Sequence, residues 1–241
     1  MIRALALLLG LALGSAARAD CRQALVLGLD VSGSVDAQEY RLQLDGLAAA
    51  LRHPEVVGAL LALPRDPVRI AVYEWSGSRY QRLLVDWTDL PDAAAIARLA
   101  DGLRATARAP APPETALGTA MLHGAALLEQ QPGCWRRTLD LSGDGRHNQG
   151  PHPRAVKAAL ASRDLVLNAL VIGDDAPRGI AARAAQLGAL TSYFRAWVLV
   201  GPGAFAETAP GFDAYEAAMI RKLRRELELP ALSQLRRPPG Q

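Results

Sequence analysis

"LGLDVSGSVD", residues 27–36, sets an acid at the end of an apolar run and follows it with two serines among small residues. The strand it closes, residues 24–30 ("ALVLGLD"), reads as fully buried, so its polar ending needs a reason. A helix cap is one: Ser34 or Asp36 can accept from the free N–H groups of a helix beginning near Ala37. That accounts for a single side chain. Asp30 and Ser32 remain, and they pose the question of a site.

Upstream of this stretch, Arg3 gives a positive start, residues 4–13 form a short apolar core, and "ARA" ends at Ala19. That pattern predicts a secretory signal peptide over residues 1–19, cut between Ala19 and Asp20. An apolar run of roughly ten residues is too short to span a membrane, which takes about twenty. Lipidation of Cys21 is disfavoured because Asp20 stands where a small residue should precede the cysteine. The expected location is periplasmic or secreted. Removing Arg3 and Arg18 lowers Lys+Arg from 27 to 25 against 24 acids, so the formal charge falls from +3 to +1. Nothing in that balance argues for nucleic acid. The arginine clusters in "RKLRRELELP" and "LRRPPGQ" read as a solvated helix face and a loose tail over 229–241. The two cysteines of an exported chain, Cys21 and Cys134, either pair or remain thiols.

Downstream, strand and helix signals alternate. Helical spacing covers 36–53 and stops before Pro54. Residues 68–77 and 80–90 read as a hairpin with one edge strand. A proline-led helix follows at 91–105, then a loop with Pro110, Pro112 and Pro113, then a helix opening at Thr115. Strands are expected at 136–145, 165–173 and 193–201, and helices at 153–163, 180–187 and 213–227. This alternation predicts one α/β domain over 20–228. It is a doubly wound, mostly parallel six-stranded sheet with helices on both faces and one antiparallel edge strand.

In such sheets ligands bind beyond the carboxyl ends of the strands, where the strand order reverses. Polar residues collect at those ends: Asp30, Ser32 and Ser34 after the first strand, Asp144 in "SGDG", and Thr115 at a helix start. Two carboxylates and three hydroxyls suit a hard cation, Mg²⁺ first and then Mn²⁺ or Ca²⁺. Neutral hydroxyls leave much of the cation's charge uncompensated, so it would accept an anionic group from outside.

Asp30-x-Ser32-x-Ser34, then Thr115 three residues before Gly118, then Asp144-Gly145 after a strand, resembles the metal-ion-dependent adhesion site of von Willebrand factor A domains and integrin inserted domains. The likeness runs over roughly residues 22–227. "CRQALVLGLDVSGSVDAQEYRLQ" and "DLSGDGRHNQG" also resemble a group of secreted bacterial proteins built from this domain alone. The resemblance implies that Ser32 and Ser34 ligate the cation directly and Thr115 directly or through water. It implies that Asp30 and Asp144 act mostly through waters or as outer acceptors. It further implies a protein partner that offers an Asp or Glu carboxylate to the open position. The chain departs from the family in having Glu114 where glycine often precedes the threonine. Glu114 would either fill the open position or put a repulsive charge on the rim.

In that family the strands ending in Asp30 and Asp144 are neighbours. Cys21 lies nine residues before Asp30 and Cys134 ten before Asp144, which implies that both sit at the opposite, amino-terminal edge. With strands about 4.8 Å apart and an offset of about 3.3 Å, their Cα atoms would be roughly 5.8 Å apart, within disulfide range.

Three other readings compete. A serine hydrolase would use Ser32 as nucleophile with His147 or His123 as base, but the surroundings of Ser32 do not fit Gly-x-Ser-x-Gly. Phosphoryl transfer through Asp30 would want a second acid where Ser32 stands. A structural domain would use the cation only to tie its loops. The four histidines lack zinc-like spacing, and Trp75, Trp87, Trp135 and Trp197 read as core or rim. The chain is therefore expected to be a binding module and not an enzyme.

Overall fold

A computed structural model describes residues 21–174 and 179–228. The expected signal peptide and the 229–241 tail lie outside the described residues. The chain alternates as read: strand β1 (Cys21–Asp30), helices α1 (Ala37–Arg52) and α2 (Pro54–Leu60), strands β2 (Val68–Trp75) and β3 (Gln81–Leu90), helices α3 (Ala93–Ala105) and α4 (Leu117–Glu129), then β4 (Cys134–Gly143), α5 (Pro153–Leu160), β5 (Val166–Ile172), α6 (Ile180–Trp197), β6 (Ala206–Ala209) and α7 (Tyr215–Leu227). Proline allows α2 to start directly after α1, because at the first helical position it forfeits no intrahelical bond.

One six-stranded sheet has the order β3-β2-β1-β4-β5-β6. All neighbours are parallel except β2 and β3, which form the expected hairpin. β1 is buried along its whole length because helices cover both faces. Leu25, Leu27 and Leu29 face a core closed by α1, α2, α3 and α7, whereas Ala24 and Val26 face one closed by α4, α5 and α6. Gly28 has no room for a side chain: a Cβ there would stand 2.6 Å from a Leu141 methyl and 2.7 Å from the Tyr73 ring. The chain leaves β1 toward one edge and returns to the other side through β4. The order therefore reverses between β1 and β4, and their carboxyl ends bound a crevice.

Two expectations are corrected. Residues 193–201 are not a strand: α6 continues through Trp197, and only Val200 makes a single bridge, to Leu167. The aromatic part of the run, up to Trp197, is helical because Leu190 and Phe194, four apart, bury on one helix face. The sixth strand is instead the short segment Ala206–Ala209, which pairs with β5 at the sheet edge. The basic run on α7 is not wholly a solvated face either, since Lys222 and Glu226 are buried with Leu223.

The disulfide Cys21–Cys134 is formed, with Cα atoms 4.6 Å apart. The two cysteines are direct partners in the β1–β4 register, closer than the staggered arrangement expected. The one-residue stagger falls at the other end: in the same register Asp30 is level with Gly143, the last residue of β4, and Asp144 lies one residue beyond.

Candidate functional site

The loop after β1 is built by its own hydrogen bonds. Asp36 caps α1, accepting from the Gln38 and Glu39 amides, while Glu39 accepts from the Asp36 amide. This capping box satisfies the helix start without Ser34. Ser34 turns the other way and donates to Asp144 Oδ1 at 2.8 Å. Ser32 Oγ lies 3.4 Å from Ser34 Oγ, and the Ser32 amide donates to Asp30 Oδ1 at 2.9 Å. Gln43 on α1 donates to the Asp30 carbonyl, and Arg108 donates to the Val35 carbonyl, so the loop is held at both ends.

Thr115 enters from the proline loop. Gly33 donates to the Pro113 carbonyl at 2.9 Å, which lashes the two loops together. The Thr115 amide donates to Asn148 Oδ1, and the Asn148 amide donates back to the Thr115 carbonyl. A Cβ on Gly145 would lie 3.7 Å from Thr115 Oγ1, so that hydroxyl faces the turn that carries Asp144. Glu114 Oε2 points toward the β2–β3 turn, 3.3 Å from where a Cβ on Gly77 would stand. Its carboxylate borders a groove lined by Gly77, Arg79, Pro112, Pro113 and Gln149.

Asp30 and Ser32 are fully buried and Thr115 nearly so, whereas Ser34 is exposed. Asp30 Oδ2 is buried and receives no aligned donor; it lies over Gly143, 3.4 Å from the position of a Cβ. Burial, then the charge of Asp144, holds the Asp30 carboxyl well above the usual carboxylate range, only partly eased by nearby amides. Burial also raises Asp144, against the hydrogen bond from Ser34. A buried carboxylate oxygen without a donor, beside a second raised carboxyl, is an arrangement whose charge a divalent cation would neutralise. The donor set fits a hard divalent ion. Among the described residues no three His, Cys, Asp or Glu side chains converge as metal ligands. A set of two carboxylates and three hydroxyls is of a different composition.

All five residues singled out in the sequence meet at the β1–β4 crevice. Sequence reasoning missed Asn148 and Arg108, which sit in loops without local periodicity and act through backbone groups. The hydrolase arrangement does not assemble: among the described residues no imidazole hydrogen-bonds to Ser32. His123 packs against Tyr73 with ring centroids 4.8 Å apart, and His147 packs against His152 at 5.4 Å.

No curated protein matches the sequence. Solved structures do match in fold. Proximal thread matrix protein 1 (PTMP1) from the mussel byssus superposes with a TM-score of 0.58 at 15% identity, covering 88% of this chain and 47% of that one. This chain thus spans about half the length of the mussel protein, which is also known with a zinc-occupied MIDAS motif. A von Willebrand factor type A protein from Catenulispora acidiphila gives 0.54 at 15% identity, covering 86% and 42%. An aerotolerance-related membrane protein from Bacteroides fragilis, carrying multiple mutations to serines, gives 0.51 at 14% identity, covering 84% and 98%. The chain has the von Willebrand factor A fold, and over residues 20–231 it belongs to the family described as "Protein of unknown function (DUF1194)".

Proposed function

We propose that the crevice holds one divalent cation and that the protein is an exported binding module, not an enzyme. Ser32 and Ser34 would ligate the ion directly and Thr115 directly or through water. Asp30 and Asp144 would hold it through water and supply the negative charge. When bound, the ion offers an open position that takes an Asp or Glu carboxylate from a protein partner. The observation that carries this reading is the buried, donor-free Oδ2 of Asp30 beside Asp144. The fold shared with a mussel protein whose MIDAS motif takes zinc supports it. Mg²⁺ is the first candidate, then Mn²⁺ or Ca²⁺, because every donor is oxygen.

Glu114 is directed at the β2–β3 turn, so in this reading it shapes the rim and leaves the open position free. Export is supported by the Cys21–Cys134 disulfide, which persists in oxidising compartments. No described helix is long and apolar enough to cross a membrane. Capture from a cell-envelope extract in Mg²⁺ against chelator tests the function. A protein retained by the parent, released by chelator and lost in Ser32→Ala supports it. A partner indifferent to both would sink it, and turnover of simple esters or phosphates would favour the hydrolase reading instead.

A further inference from the structure

A second group of chemistry-bearing side chains lies away from the crevice, between the sheet and α7. Along β4 the residues facing α4 are apolar, Leu139 and Leu141, whereas Asp140 faces α7. Its register neighbour on β5 is Asn168. From α7 come Lys222 and Glu226, one helical turn apart. Lys222 and Glu226 side chains are 0% exposed and that of Asp140 is 1%.

The contacts among them are unequal. Lys222 Nζ donates to Glu226 Oε1 at 2.6 Å. Asn168 Nδ2 donates to the same oxygen at 2.7 Å, while its Oδ1 accepts from the Phe205 amide, so Asn168 is tied at both ends. Lys222 Nζ also lies 2.7 Å from Asp140 Oδ2, so one ammonium touches both acids. The Phe205 ring walls the site, its centroid 5.2 Å from Nζ.

One lysine touches two buried acids, and Arg136 acts on Glu226 only through space, so Asp140 has Lys222 as its one direct cationic partner among the described residues. Burial, then the charge of Glu226, pushes Asp140 up to about 7, with Lys222 opposing. The Lys222 nitrogen is thus held in contact with the Asp140 carboxyl, a nucleophile's atom against an electrophile's.

We propose that Lys222 and Asp140 condense spontaneously into an intramolecular isopeptide bond, with Glu226 carrying the proton. Glu226 first takes one ammonium proton, the freed Nζ lone pair attacks the Asp140 carboxyl carbon, an Nζ–Cγ bond forms and one Cγ–O bond breaks. The departing oxygen takes two of the three ammonium protons and leaves as water, one of them relayed by Glu226, which ends as it began. The third proton stays on the amide nitrogen. No oxidant, reductant or cofactor is consumed. The bond would tie α7 covalently to β4, the strand that leads into Asp144. Asn168 orients Glu226 and is not the acceptor, since both ends of its amide are engaged elsewhere.

Intact mass spectrometry and peptide mapping of the reduced, folded protein test this. The expected result is a chain lighter by one water, with the Asp140 and Lys222 peptides recovered as one linked species. Glu226→Gln should fold, as judged by circular dichroism, and yield the two peptides unlinked. Separate Asp140 and Lys222 peptides from the folded parent would overturn the proposal. A link to Asn168, recognised by loss of ammonia in place of water, would overturn the choice of Asp140. An undiminished link in Glu226→Gln would overturn the role of Glu226.

Discussion

Ser34 on the β1 loop donates to Asp144 on the β4 loop at 2.8 Å, bridging positions 110 residues apart. This bond closes the crevice at the point where the strand order reverses. It also half-satisfies Asp144, leaving the burden of unrelieved charge on Asp30, whose outer oxygen has no donor.

That imbalance gives the first prediction. In chelated protein, Asp144→Asn removes a like charge from beside a buried carboxylate and is expected to stabilise the fold by about 1 kcal/mol. The same variant should lose the stabilisation that Mg²⁺ confers on the parent. Denaturant unfolding with and without Mg²⁺ reads both effects. Greater stability without cation, at the cost of cation response, is the signature of a site kept for binding.

The second prediction concerns pH. Asp30 and Asp144 are raised above their ordinary range, so in that window the chelated native state holds more protons than the unfolded chain. Its stability should therefore rise as pH falls from neutral toward about 4, the ordinary carboxylate value. Bound Mg²⁺ favours the ionised forms and should flatten or reverse this slope, expelling protons as it binds. Because the comparison is made with and without Mg²⁺, titrating groups away from the crevice cancel. A pH slope unmoved by the cation would contradict the assignment.

The third prediction separates stability from binding. The Cys21–Cys134 bridge spans 113 residues and lies at the sheet edge opposite the crevice. Replacing both cysteines by serine should cost up to about 5 kcal/mol by the loop-entropy relation. Cation affinity in the folded variant should stay within about twofold of the parent. Affinity falling in step with stability would show that the two edges are coupled.

The fourth prediction tests the loop that carries Asn148. Asn148→Ala leaves the Thr115 amide without its acceptor and should cost about 1 kcal/mol. Because Thr115 then keeps only one of its two ties to the Asn148 loop, Mg²⁺ affinity should fall several-fold, whereas Thr119→Ala, inside α4, should leave affinity unchanged. Gly118→Ala is the harsher change, since its Cβ would collide with the Pro151 carbonyl. Calorimetry on the three variants distinguishes them.

The crevice was legible in the sequence because its donors end apolar runs, where polarity has no packing purpose. Asp30 and Asp144 announce themselves in that way, and Thr115 by its place at a helix start. The supporting shell was not legible. Asn148 and Arg108 hold backbone groups of loops distant in sequence, and nothing in their neighbours signals it. The misread strand at 193–201 has a physical cause too: "YFRAWVLVG" carries strong β-propensity, but the burial of Phe194 in the core over Gly143 at the end of β4 outweighs it. The true edge strand, "AETA", has too little apolar character to be seen. Lys222 looked like part of a solvated face because only tertiary packing against Asp140 and Glu226 makes its burial tolerable.

The central claim is that Asp30, Ser32, Ser34, Thr115 and Asp144 together hold one divalent cation. Isothermal titration of Mg²⁺ and Mn²⁺ into chelator-stripped protein, parent beside Asp30→Ala and Asp144→Ala, tests it most directly. The account predicts a single site in the parent and none in either folded variant. Variants that titrate like the parent would contradict it.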